Sequence, residues 1–154
     1  MPDKAKTEKS ERTKKYLLEA QRIDAHINYL LEQVAHLKSL TTKITTTLRQ
    51  DVSSGGAGNQ DKIGEAIAKI IDLEAEVNKN IDAYVDKKRE VYAVIKQLEN
   101  ADHIDVLCKK YLLNETLEQI AYEKHCTYRN ICYIHGRALQ AVTAILEKEG
   151  FFDE

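Results

Sequence analysis

Between Tyr16 and Leu98 the chain carries two long apolar stripes separated by one glycine-rich break, and this constrains the fold more than any other feature. The first stripe runs Tyr16, Ala20, Ile23, Ile27, Leu30, Val34, Leu37, Thr41, Ile44, Leu48. The second runs Ile63, Ile67, Ile70, Glu74, Val77, Ile81, Tyr84, Lys88, Val91, Ile95, Leu98. Alternating steps of three and four keep each stripe on one side of a long helix, as in a coiled coil. Between them lies "DVSSGGAGNQD", whose Gly and Ser content is that of a loop. Folding the chain there sets Leu48 opposite Ile63, Ile44 opposite Ile67, Leu30 opposite Ile81 and Tyr16 opposite Ile95. A parallel pair needs a long return connection, which the sequence lacks. The expectation is an antiparallel hairpin with arms of about 40 residues, roughly 60 Å each at about 1.5 Å per residue.

Composition agrees. The only proline is Pro2, six glycines leave few breaks, and helix formers dominate, so the predicted class is all-α. No apolar run is long enough for a membrane span or a signal peptide. Three cysteines without paired spacing fit a reducing cytoplasm better than a disulfide framework.

Two seam positions are polar: Glu74 falls opposite Leu37 and Lys88 opposite Ile23. Their aliphatic stems are expected to cover the seam while the charges reach water. Leu17, Leu31, Leu40, Ile71, Leu73, Val85 and Val94 flank the seam. A lone hairpin leaves many of these wet, so a second copy or the C-terminal domain is expected to cover them. A homodimer built through the hairpin is preferred. The predicted organisation is a flexible arm over 1–12, the hairpin over 13–99 with its loop at about 51–61, and a small domain over 104–148.

That domain contains "TLEQIAYEKHCTYRNICYIHGRAL". Thr116 followed by Gln119 is a capping-box pattern, and Leu117, Ile120 and Ala121 give the inner face of a short helix. "EKHC" breaks it, with His125 where a turn favours glycine. Thr127 is a new N-cap, and Ile131, Ile134, Ala138, Leu139 and Val142 form the next inner face. Two helices joined by a short turn, with a small residue at their crossing, describe a helix–turn–helix.

The stretch "YLLNETLEQIAYEKHCTYRNICYIHGRALQAV" resembles region four of bacterial sigma factors. The hairpin, with "QDKIGEAIAKIIDLEAEVNKNID", is similar to phage and prophage proteins of Gram-positive hosts grouped with ArpU-like and RinA-like late-gene transcription regulators. The resemblance implies a cytoplasmic protein of a bacterial host cell that binds double-stranded DNA. Carrying over the DNA-facing positions gives Tyr128, Arg129, Asn130, Cys132, Tyr133 and Arg137. Lys109, Lys110, Lys124 and the basic N-terminal arm would add phosphate contacts.

Charge qualifies this. Residues 1–50 hold 10 Lys+Arg against 6 Asp+Glu, but residues 101–154 hold 6 against 9. Two arginines on an acidic domain predict weak DNA binding by a monomer, which dimerisation would strengthen. The alternative is a protein-interaction module, docking on host RNA polymerase or serving in a packaging complex such as a small terminase. Cys132 and His135 share a helical face, but no Cys-x-x-Cys pair accompanies them, so neither metal nor cofactor is expected. No phosphate-binding glycine loop or nucleophile–base set points to an enzyme.

Overall fold

The computed structural model describes residues 4–50 and 58–153; the side chains at 44, 45, 48–50 and 58–60 lie outside that description. The described residues are all-helical. They form α1 (Lys4–Gln50), α2 (Gly58–Ile95), α3 (Ala101–Leu107), a π-helical stretch (Cys108–Leu112), α4 (Leu117–Glu123) and α5 (Tyr128–Lys148). No described helix is long and apolar enough to cross a membrane.

α1 runs 47 residues because nothing inside it breaks a helix: its sequence holds neither proline nor glycine. It differs from expectation at its start. Residues from Lys4 on are helical, so most of the arm expected over 1–12 is the first turns of α1. Packing gives the reason. Thr13 is fully buried and its hydroxyl meets that of Thr143 at 2.8 Å, Lys9 pairs with Glu147, and Arg12 donates to the Phe151 carbonyl at 3.3 Å. The expected loop falls largely on 51–57, outside the described residues, and its last residues, Gly58–Asp61, already belong to α2.

The chain divides into two compact units, and the division differs from the expected split into hairpin and C-terminal domain. One unit joins residues up to Arg22 with those from Tyr84 on. Its main core gathers Tyr16 and Leu17 of α1, Val91, Val94 and Ile95 of α2, and Ala138, Leu139, Val142 and Leu146 of α5. Burying such side chains contributes about 1.5–3 kcal/mol each, which fixes α5 against both long helices. The flanking residues Leu17 and Val94 are thus covered by the C-terminal helix.

The other unit is Ile23–Ala83, where Leu30 and Val34 of α1 meet Val77 and Leu73 of α2. The inner side of α2 keeps Ile70 and Val77 of the expected seam and adds Leu73, whereas Ile67, Glu74 and Ile81 of that seam do not join the buried cluster. Ile67 and Ile81 are exposed instead. Leu73 takes the place expected of Glu74 beside Leu30 and Val34, which keeps a carboxylate out of that cluster. Glu74 pairs outside with Lys38 at 2.5 Å. Lys88, the second polar seam position, donates to the Leu112 carbonyl at 2.7 Å and covers the Tyr84 ring at 4.3 Å. The expected pairs made by Ile44 and Leu48 involve side chains outside the description.

Candidate nucleic-acid interface

The segment from α3 to α5 is built by caps. Asn100 Oδ1 accepts from the Asp102 and His103 amides and starts α3. The π-helical stretch ends where the Leu113 amide donates to the Cys108 carbonyl and Asn114 turns left-handed at φ 57°. Thr116 and Gln119 then exchange side-chain and backbone hydrogen bonds in a full capping box. Each such cap stabilises by about 1 kcal/mol.

The turn between α4 and α5 is a Schellman motif. The Cys126 amide donates to the Ala121 carbonyl at 2.9 Å and the His125 amide to the Tyr122 carbonyl at 3.2 Å. This geometry needs a left-handed residue at His125, and its φ is 52°. Thr127 Oγ1 accepts from the Asn130 amide at 3.2 Å and opens α5. Val106, Ile120, Ala121 and Ile131 bury one another beneath the turn, with the half-buried Cys126 acting as a small hydrophobe.

This scaffold leaves one side of α5 bare. Arg129, Tyr133 and Arg137 follow at successive steps of four, all exposed, with Asn130 beside them. The Arg137 guanidinium lies 5.7 Å from the Tyr133 ring centre, a spacing at which the ring face attracts the cation. Tyr128 stands on the flank of α5 next to Cys132, whose hydrogen bond raises the pKa of the tyrosine hydroxyl. So four of the eight expected DNA contacts share the outer side, while Tyr128 and the half-buried Cys132 sit at its edge.

Of the lysines expected to join them, Lys124 and Lys109 are engaged with carboxylates. Lys124 Nζ donates to Asp105 at 2.7 Å and lies 3.3 Å from Asp102. Lys109 pairs with Glu123 and has Glu115 at 3.8 Å. Lys110 is half-buried, and its carbonyl accepts from Gln21 Nε2 at 2.6 Å. The charge of Lys110 is felt at His135, on the inner side of α5, together with that of Lys14. These ion pairs follow from the acidic composition: Asp102 and Asp105 lie on α3, Glu115 just before α4 and Glu123 at the end of α4.

Two features escape a reading of the sequence alone. Tyr122 on α4 is the most exposed aromatic among those described, at 84%. Its place one step beyond the inner pair Ile120–Ala121 was the available signal. The second is a buried polar pair: the Tyr111 hydroxyl meets His135 Nε2 at 2.9 Å with the two rings stacked. Burial, reinforced by Lys110 and Lys14, pushes His135 down to about 4, so it is neutral near pH 7. Tyr111 is pushed up by burial to about 12. His135 Nε2 is thus taken up by the Tyr111 hydroxyl. Among the described residues, no group of three His, Cys, Asp or Glu gathers as a metal site.

In comparisons with known proteins, no family model, no curated protein and no solved structure matches this chain.

Proposed function

We propose that this chain is a DNA-binding transcription regulator of a phage or prophage, acting in the bacterial cytoplasm. In this reading α4 and α5 are a helix–turn–helix, with α4 bracing the backbone and α5 entering the major groove. α1 and α2 pair as an antiparallel coiled-coil hairpin through which two copies associate, giving two recognition helices for an inverted repeat. The resemblance to sigma region four and to ArpU-like and RinA-like regulators points the same way.

One observation carries the reading. Arg129, Tyr133 and Arg137 stand exposed along α5 on a doubly capped scaffold whose other side is fully packed. Exposed side chains at that spacing on a helix of 21 residues match what base-edge and phosphate contact requires. Arg129 is assigned to guanine or phosphate near the start of α5, Arg137 to phosphate, and Tyr133 to a thymine methyl or phosphate. The test is anisotropy on a bound duplex with Arg129→Ala and Tyr133→Ala. Each is expected to weaken binding about tenfold, the cost of one good contact. Unchanged affinity in both variants would mean that α5 does not read DNA, even where the protein binds it.

A second reading has its own support. Lys109 and Lys124 are paired with carboxylates, while Tyr122, Tyr128 and Tyr133 are all exposed. Aromatic surface with little free positive charge suits a protein partner, such as host RNA polymerase or a packaging component. Absence of DNA binding at low salt, with capture of purified polymerase, would favour it.

A further inference from the structure

The apolar flanks of the two long helices are covered unequally. Leu17 and Val94 are buried against α5, whereas in the unit Ile23–Ala83 no described residue covers Leu31, Ile67, Ile71 or Ile81. Ile71 is 59% exposed and Ile67 46%. These four share a side with the Lys38–Glu74 ion pair, which bridges α1 to α2. Leu31 precedes Lys38 by one heptad, and Ile67, Ile71, Glu74 and Ile81 follow heptad steps along α2.

We propose that this face docks a second copy of the chain about a two-fold axis passing beside Glu74. The proposal rests on the dimeric hairpin reading and names its surface. The pattern itself selects a copy of the chain as occupant, because it is self-complementary. Ile67 and Ile81 lie seven residues before and after Glu74. With α2 antiparallel to its twin, Ile67 of each copy therefore meets Ile81 of the other, as a two-fold interface requires. Charge agrees. Each copy brings one Lys38 and one Glu74 to the axis, so the central patch carries no net charge. The result is a four-helix arrangement in which the bare isoleucines become core.

Sedimentation equilibrium on the full chain tests this, with circular dichroism as the folding control. The wild type should dimerise. Ile71→Glu should raise the dimer Kd on the order of 100-fold at unchanged helicity, since it buries an unpaired charge. Leu40→Glu, two residues beyond Lys38 and so on another side of α1, should behave as wild type. A dimer that survives Ile71→Glu overturns this face and leaves the dimeric hairpin standing on another; a monomeric wild type overturns both. The axis is tested separately, because a residue beside it meets its own copy. Glu74→Cys should cross-link under mild oxidation at least tenfold faster than Leu40→Cys, and equal rates would overturn the axis.

Discussion

His125 holds α4 to α5 in a conformation that costs it energy, and the cost is measurable. Its φ of 52° lies in the left-handed region, where a side chain costs about 1–2 kcal/mol. Glycine avoids that cost but gives up about 0.5–1 kcal/mol through its freer unfolded chain. His125→Gly should therefore stabilise by about 0.5–1 kcal/mol, a rise of about 1–4 °C in Tm for a chain of this size. The ring is exposed, so little packing is lost. A matched variant gives the opposite sign. α5 ends in the same hydrogen-bond pattern, with the Phe151 amide donating to the Leu146 carbonyl and Gly150 at φ 75°. A Cβ at Gly150 also meets Asp153 Oδ2 at 3.3 Å, so Gly150→Ala should destabilise by about 1 kcal/mol. Urea unfolding followed by circular dichroism at fixed m compares the midpoints. If His125→Gly matches or falls below wild type while Gly150→Ala falls, the left-handed strain argument at the turn is wrong.

Other expectations are shorter. Thr116→Ala removes the hydroxyl that accepts from the Gln119 amide and should cost about 1 kcal/mol in the same unfolding assay. Because His135 is held at about 4 against an ordinary 6.5, the unfolded chain takes up a proton that the native state refuses. Stability is therefore retained above pH 6.5 and falls as pH drops towards 4; His135→Gln should flatten that slope in denaturation midpoints measured across the window. Lys124→Ala should change DNA affinity less than about twofold, its ammonium being held by Asp105 and Asp102, while Arg129→Ala costs about tenfold. Equal losses in an anisotropy titration would mean that Lys124 leaves its carboxylates for phosphate.

Much of the helical content was legible because periodicity and caps are local. The alternating stripes give α1 and α2, and Thr116, Gln119 and Thr127 mark helix starts by side chains that reach their own backbone within three residues. The inner side of α2 was less legible. Ile67, Ile70, Leu73, Val77 and Ile81 are all apolar, so spacing alone leaves two overlapping helix faces open. The N-terminal turns were missed because residues 4–12 are polar, and what orders them is distant in sequence: Glu147, Thr143 and the Phe151 carbonyl. In the candidate site, Arg129, Tyr133 and Arg137 are proposed from the resemblance to sigma region four, and their steps of four fit one exposed side of α5. The neutralisation of Lys109 and Lys124 was not legible, since it depends on how α3 and the π-helical stretch pack beside α4.

The most direct test of DNA reading is anisotropy of the wild-type chain on phage-derived intergenic duplexes at several salt concentrations, with light scattering on the same sample. On the proposed reading Arg129 and Arg137 from two copies would supply about four phosphate contacts, so log K should fall against log salt with a slope of about −3 to −4. Sequence-selective binding by a dimer with that slope is the predicted result. No binding at the lowest salt would contradict it and turn the exposed face of α5 towards a protein partner.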